Sequence, residues 1–339
     1  MVKVELLAPA KDLETGLAAI NCGADAVYIG PARFGARQAA GNALADIEKL
    51  ATYAHRYWAR VYATVNTLLQ DDEIDDAARL IRQLYQAGID ALIIQDAGLL
   101  ECNLPPLPLF ASTQMHNHTP ERVSFLEKVG VQRAILAREL SLEQIAAIRA
   151  ATTSIELEIF IHGALCVCYS GQCYLSYAFG GRSGNRGQCA QPCRKRYSLL
   201  DSNGKMLVRN RYLLSLKDLN LSDHLRDLLQ AGVTSFKIEG RLKDSSYVMN
   251  TVGHYRRKLD ALLPDFEMRP ASSGQVDLGF TPDLRKTFNR GYTTYYLRGR
   301  GDPVTSPETP THAGELLGKA LAVGKASFTL DAAAPLHNG

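Results

Sequence analysis

The sequence predicts an α/β fold, a TIM-like (β/α)8 barrel, on three observations. Strand-length apolar segments alternate with helical patterns over residues 1–264. The apolar segments are too continuous for strands with one wet face, which is typical of parallel strands covered by helices. About eight such strands in roughly 240 residues fit a closed barrel better than an open sheet. A doubly wound open sheet is the alternative, although the phosphate-loop and dinucleotide-binding fingerprints are absent from the sequence.

A recurring glycine marks half of the predicted strands. Glycine is the usual residue just past a helix C-terminus, and a glycine followed at once by an apolar run opens the segments 23–30, 88–95, 130–137 and 232–239. Further strands are predicted at residues 4–8, 60–66, 109–112 and 155–161. Helices are predicted between the strands, at residues 11–21, 43–57, 74–87, 120–129 and 142–150.

The alternation breaks at two places. Residues 164–217 form an insertion rich in cysteine, glycine and arginine, and a long irregular segment inside a compact domain is generally functional. Residues 265–339 are predicted to form a linker and a partial β domain, with strand-like runs at 292–297, 316–323 and 327–330. These strands are too few to close a second barrel, so we expect the chain to stop partway through that domain.

The composition and the first residues of the chain limit the classes of protein to which it can belong. With 46% hydrophobic and 22% charged residues, the chain can bury a sizeable core, which excludes wholesale disorder. The first residues lack the pattern of a signal peptide, and no apolar run is long enough to span a bilayer. We therefore expect a cytoplasmic protein without a membrane partner. Thiols stay reduced there, so the seven cysteines indicate metal binding, redox chemistry or core filling before disulfides.

Five of the seven cysteines lie close together in the insertion. The candidate ligands are Cys166, Cys173, Cys189 and Cys193, with Cys168 as a fifth thiol. Four thiolates can hold an iron–sulfur cluster or a structural zinc, and buried cysteines without metal are a third alternative. Zinc ribbons usually pair their ligands as Cys-x2–4-Cys, which only the last pair approaches. The spacing therefore favours a cluster.

Polar residues at the ends of predicted strands are the candidate site, because barrel enzymes place their sites at the C-terminal ends of the strands. The catalytic candidates are His162, Lys237 and Glu239, and the substrate-binding candidates are Asn66, Gln114, Arg138 and Arg241. Lys237, Glu239 and Arg241 alternate at period two, so one face of the strand carries all three. Buried charges of this kind need either a partner of opposite charge or a ligand. An internal salt-bridge network would supply the partner, and an anionic substrate would be the ligand. His162 is either a catalyst or a hydrogen-bonded structural residue.

Two stretches have the composition of a nucleic-acid interface. Residues 182–211 carry eight basic residues against one acid; this positive charge attracts phosphates, and we take Arg194 and Arg196 as substrate-binding candidates. Residues 285–300 interleave aromatic and basic side chains, a pattern that suits single-stranded RNA because aromatic rings stack on splayed bases. A solvated basic surface with a few strand aromatics is the alternative.

Residues 158–176 resemble the signature of peptidase family U32, which was named for collagenase-like activity. Residues 184–189, 191–194, 215–218 and 286–291 are similar to the branch of that family that hydroxylates a cytidine of 23S ribosomal RNA. The resemblance implies a 5-hydroxycytidine product, a 4Fe–4S cluster and prephenate as a required co-substrate. Sister branches hydroxylate a wobble uridine in tRNA or the ring of a quinone.

The leading hypothesis is therefore an RNA base hydroxylase whose partners are RNA, most simply 23S rRNA or its precursor, and a small anionic co-substrate. Quinone-ring hydroxylation predicts an apolar channel instead, and the two basic stretches favour RNA. An RNA-binding module with a structural metal is a third, non-enzymatic class. A protease is the last alternative, although the sequence carries neither a zinc-protease helix motif nor a nucleophile elbow.

Overall fold

Eight parallel strands form a closed barrel in the computed structural model, which describes residues 1–36, 41–314 and 318–332. The strands are β1 (Lys3–Ala10), β2 (Ala26–Pro31), β3 (Arg60–Val65), β4 (Ala91–Ile94), β5 (Leu109–Ala111), β6 (Arg133–Ile135), β7 (Glu156–Ala164) and β8 (Ser235–Ile238). Each strand pairs with the next, and β8 also pairs with β1, which closes the ring. The (β/α)8 prediction is confirmed, and the open-sheet alternative is wrong.

Helices surround the barrel, apart from Leu175–Gly180, which lies in the insertion. They are α1 (Leu13–Asn21), α2 (Leu44–His55), α3 (Ile74–Gln86), α4 (Pro120–Lys128), α5 (Leu142–Ala150), α6 (Leu175–Gly180), α7 (Leu225–Gln230) and α8 (Ser245–Leu262). The five predicted helices correspond to α1–α5. Side chains of Asp12, Thr119, Ser141 and Asp244 accept hydrogen bonds from the first turns of α1, α4, α5 and α8, as helix N-caps do. Among the described residues, no helix has the length and apolar character needed to cross a bilayer.

Single 3-10 turns and short strands connect these elements in the described part of the chain. The turns span Asp71–Glu73, Ala97–Glu101, Thr113–Met115, Gly184–Arg186, Pro192–Arg194, Leu263–Phe266 and Leu284–Lys286. Gly41–Asn42 pairs with β2, and Arg269–Pro270 pairs with β1. Asp218–Asn220 runs antiparallel to the end of β7 and parallel to Tyr292–Thr293. The domain boundary predicted at residue 264 stays a prediction.

Two hairpins lie outside the barrel. One, Tyr197–Leu200 with Met206–Arg211, lies in the insertion, which also contains α6. The other, Gly318–Val323 with Phe328–Ala332, contains most of the last two predicted strands, although residues 316–317 and 333–339 lie outside the described residues. The predicted strand 292–297 is wrong beyond Thr293, because Tyr295 adopts a positive φ of 54° that extended strands exclude.

Charged side chains fill part of the barrel interior, in a group that we call the buried ionic layer. It consists of Glu5, Arg133, Glu158 and Lys237, none more than 4% exposed. Arg133 contacts Glu5 and lies 3.1 Å from Glu158, and the Lys237 ammonium lies 2.8 Å from the other oxygen of Glu158. Burial raises the pKa of Glu5, but Arg133 outweighs this and holds it below the ordinary value. The layer is therefore an internally compensated set of charges.

Removing one partner of this layer tests its contribution to stability. Arg133→Met should lower the free energy of unfolding by about 3–5 kcal/mol, because Glu5 is left as an uncompensated buried charge. Urea unfolding of the variant and wild type measures the difference. Arg79→Met is the control, since Arg79 and its partner Asp76 are exposed or half-buried and such pairs contribute about 1 kcal/mol or less. Equal losses in the two variants would contradict the assignment.

Candidate functional site

A cavity of about 130 Å³ lies at the C-terminal ends of the strands, and we call it the barrel-mouth cavity. The strand ends contribute Asn66, Gln114, Arg138, Lys237, Glu239 and Arg241 to its lining, and the insertion contributes Cys166, Cys173 and Cys189. Six of the seven strand-end candidates and three of the four candidate ligand cysteines therefore meet at one cavity. The insertion forms its roof.

Arg241 and Lys237 bring positive charge into this cavity from below. Arg241 is 5% exposed, and its guanidinium donates to the Thr64 hydroxyl over 2.7 Å. The Lys237 ammonium lies 4.4 Å from the centre of the Tyr28 ring, in addition to its contact with Glu158. Burial lowers the pKa of Lys237, although Glu158 opposes the shift. The salt-bridge alternative thus holds for Lys237, which also lines the cavity.

Arg138 and Glu239 form an ion pair across the cavity. Arg138 Nη2 lies 3.3 Å from Glu239 Oε2, and the guanidinium stacks 4.1 Å above the Phe160 ring. Each charge therefore has a partner before any ligand binds, and the pair can rearrange when an anion competes for Arg138.

Close backbone packing positions the insertion above the strand ends. Gly171 has a φ of 74°, and a Cβ atom there would lie 2.0 Å from the carbonyl oxygen of Gln114. Only glycine fits this position. On the other side, the Arg186 guanidinium binds the Glu73 carboxylate at 2.8 Å. These contacts hold the cysteines over the barrel mouth.

The cysteines of the insertion influence one another. Hydrogen bonds from the thiols of Cys168 and then Cys173 lower the pKa of Cys166 to about 2, and Cys193 interacts electrostatically with Cys166 and Cys189. All of these thiols are free of disulfides. Among the described residues, no group of three or more His, Cys, Asp or Glu side chains is arranged so that it could hold a metal ion. The donors are soft thiols, the type that iron–sulfur clusters and zinc both take.

Arg194 is directed into the protein. Its guanidinium donates to Ser215 Oγ at 2.9 Å, to the Leu216 carbonyl at 2.8 Å and to the Leu165 carbonyl at 2.7 Å. It therefore ties the start of the insertion to its end. Arg196 is exposed and stacks 5.1 Å above the Tyr212 ring, so it stays available to solvent and phosphates.

His162 lies outside the lining of the barrel-mouth cavity. It is 1% exposed and is packed against the rings of Tyr247, Tyr255 and Tyr292. Nδ1 lies 3.3 Å from the Tyr255 hydroxyl. Burial, followed by the charge of His254, lowers the pKa of His162 to about 3. The imidazole is therefore neutral at physiological pH and lies outside the cavity that the other strand-end candidates line.

Positive charge on the two basic stretches is distributed unevenly. In the first, Lys195, Arg196, Lys205 and Arg209 are exposed on or beside the hairpin of the insertion, whereas Arg211 pairs with Glu308. In the second, Arg290 pairs with Asp218 at 3.1 Å and Tyr295 is buried. The hairpin thus carries the basic surface of the insertion.

Sequence reasoning missed several residues of the lining. Thr64, Ser112 and Ser170 are polar examples, and Ser170 donates its backbone N–H and its hydroxyl to Glu139 at 2.9 and 2.8 Å. Serine and threonine residues of this kind form no distinctive pattern along the sequence that would predict a site. The only signal for Ser170 was its place in the segment 158–176.

Fold and site define a class: a (β/α)8 barrel whose strand-end cavity is roofed by a cysteine-rich insertion. The chain belongs to Peptidase family U32, which residues 11–306 match. It is 48% identical over 99% of its length to an Escherichia coli protein named as a 23S rRNA 5-hydroxycytidine synthase, and the match covers 52% of that protein. The chain thus spans about half the length of this relative.

Two further relatives match most of their own length. A Methanocaldococcus jannaschii protein named as an uncharacterized protease is 37% identical over 88% of this chain and 74% of its own. A Bacillus subtilis protein named as a tRNA hydroxylation protein is 34% identical over 88% of this chain and 71% of its own.

The contacts of Arg194 predict a local effect on the insertion. Arg194→Ala should raise amide hydrogen-exchange rates in residues 165–193 by about tenfold or more, because charged hydrogen bonds of about 1.5–3 kcal/mol are lost. Exchange in the barrel strands should be unchanged. Arg196→Ala is the matched control and should leave both regions as in wild type. Identical exchange in the two variants would show that Arg194 does not hold the insertion.

Proposed function

We propose that the protein is an iron–sulfur-dependent RNA base hydroxylase that forms 5-hydroxycytidine in 23S rRNA and requires prephenate as co-substrate. The supporting observation is the barrel-mouth cavity, whose lining combines the thiols of Cys166, Cys173 and Cys189 with Arg138, Lys237 and Arg241. The Escherichia coli relative named for this product, similar over 99% of the chain, supports the same activity. Relatives named as tRNA hydroxylation proteins are 30–34% identical, so tRNA is the second candidate substrate.

A 4Fe–4S cluster would be held by Cys166, Cys173, Cys189 and Cys193. The type of donor fits, because all four residues are free thiols and three of them line the cavity. Soft thiolates are the ligands that iron–sulfur clusters take, and a polynuclear cluster spreads its ligands over several ions instead of around one. When bound, the cluster supplies one-electron redox chemistry at the cavity wall.

The cationic side chains of the cavity would bind the two carboxylates of prephenate. Arg241 is the main candidate, because a buried guanidinium offers a planar fork that matches a carboxylate. Arg138 would bind the second carboxylate by exchanging its contact with Glu239, and Lys237 would add positive charge from below. Burial strengthens each of these interactions, since water screens them less than at the surface.

RNA would approach over the insertion. The exposed basic residues on and just before the hairpin, among them Lys195, Arg196 and Arg209, would bind the phosphate backbone without reading the sequence. The target base must leave any helix to enter a cavity between strand ends, so the substrate is a single-stranded or flipped nucleotide. The residues of the cavity then exclude bulk water from the base.

The other activities have less support from the cavity. Acyl hydrolysis by a serine requires a base that takes the proton of the nucleophile, in most cases histidine or lysine, whereas the Ser170 hydroxyl donates to the Glu139 carboxylate. Quinone-ring hydroxylation favours an apolar channel, whereas Arg138, Lys237, Glu239 and Arg241 make this cavity strongly charged.

Mass spectrometry of RNA from a strain that lacks the gene tests the proposed function. Deletion should remove 5-hydroxycytidine from 23S rRNA, and wild-type protein should restore it. Cys166→Ser should fail to restore it, whereas Cys22→Ser should succeed, because Cys22 is a buried core residue remote from the site. Loss of a hydroxylated tRNA uridine instead would shift the substrate to tRNA. Unchanged 23S rRNA and tRNA would overturn the proposal.

A prephenate titration tests the role of Arg241. Arg241→Lys should raise the prephenate concentration for half-maximal 5-hydroxycytidine formation by about tenfold or more, since a point charge replaces a bidentate fork. The rate at saturating prephenate should recover substantially, because the substitution removes binding and leaves the reacting groups in place. Arg209→Lys, on the exposed hairpin, is the control for prephenate binding. The same half-saturation in wild type and Arg241→Lys would end this assignment.

A further inference from the structure

A second cavity, of about 640 Å³, opens beside the barrel-mouth cavity, and we call it the flanking cavity. Its walls carry the rings of His116, His118, Tyr169 and Tyr296, the guanidinium of Arg300 and the carboxylates of Glu139 and Glu143. Tyr169 lines both cavities. Tyr169, an aromatic side chain of the cysteine-rich insertion, thus lies where the proposed reaction site meets a larger open space.

Tyr169 and Arg300 form the boundary of the two cavities. Tyr169 is 57% exposed, so a ligand can reach its ring from solvent. Its hydroxyl interacts electrostatically with the guanidinium of Arg300, and this guanidinium stacks 4.7 Å from the centre of the Tyr296 ring. Tyr296 in turn stacks on the buried Tyr295 at 3.9 Å. A fixed ladder of planar groups therefore supports Tyr169 from one side.

The chemistry of the flanking cavity fits a nucleobase. Aromatic rings and guanidinium planes stack on splayed bases of any identity. The carboxylates oppose an anion inside the cavity, whereas they accept hydrogen bonds from the amino groups of bases. Glu143 is exposed and can meet such a group. Arg300, at the rim, is positioned for the phosphate that precedes or follows the base.

We infer that the flanking cavity binds the base of the nucleotide adjacent to the target nucleotide in single-stranded RNA, with Tyr169 as the wedge between the two bases. This inference rests on the proposed function, which supplies RNA as the substrate. The target base lies on the barrel-mouth side of the Tyr169 ring, and its neighbour stacks on the flanking side. The wedge holds the two bases apart, so only the target base reaches the strand ends.

The test uses a short single-stranded RNA with a central cytidine and the fluorescent base 2-aminopurine on one side of it, in both placements. Stacking on an aromatic ring quenches 2-aminopurine. Wild type and Tyr169→Phe, which keep the ring, should quench one of the two RNAs on binding. Tyr169→Leu should lose that quench and bind about tenfold more weakly, the range expected for one base–aromatic stack. Tyr85→Leu, an exposed tyrosine of α3, should match wild type.

Iron content is measured for each variant, so that only proteins with equal cofactor loading are compared. An abasic site at the quenched position should weaken wild type about tenfold and leave Tyr169→Leu unaffected, because the two changes remove the same contact. An undiminished quench in Tyr169→Leu would contradict the role of Tyr169 as a wedge while leaving RNA binding intact. The same holds if the losses of RNA affinity caused by Tyr169→Leu and by the abasic site are additive. Failure of wild type to bind either RNA would overturn the proposed function and the wedge with it.

Discussion

The compensation of charge inside the barrel is the constraint on which the site depends. Glu158 lies between Arg133 and Lys237 and is completely buried, and an unpaired carboxylate there would be strongly destabilising. Lys237 must therefore face inward. Glu239 directly follows β8, and Arg241 lies in the turn after it. The buried ionic layer thus fixes the end of β8, and the chain that leaves this strand carries Glu239 and Arg241 into the lining of the barrel-mouth cavity.

The position of the insertion depends on a second set of contacts, because most of this segment has no regular secondary structure to hold it. Gly171 allows direct backbone contact with Gln114, and Arg194 joins Leu165 to Leu216 through its guanidinium. Few apolar contacts are available to do this: exposed Tyr174, Tyr177 and Phe179 lie on or next to α6 instead of in a core. Polar and backbone contacts thus determine where the thiols lie relative to the cationic cavity.

The repeated glycine and apolar segments made the barrel predictable, since each β strand of this fold is a local unit with a local signal. Helix α8 was missed because it buries Thr251 and Arg256 among its apolar residues, which obscures the helical period. Strand-end residues were predictable by position, whereas the inward direction of Arg194 and the enclosure of His162 by three tyrosines depend on contacts between distant segments. Spacing along one sequence does not contain that information.

The central claim is that the insertion holds a cluster over the cationic cavity, and the iron content of cysteine variants tests it most directly. Wild type purified without oxygen should carry about four irons per chain, as a single 4Fe–4S cluster does. Cys193→Ser should lose iron as completely as Cys166→Ser, whereas Cys168→Ser should retain it. Stoichiometric zinc in wild type, or full iron content in Cys193→Ser, would contradict the account.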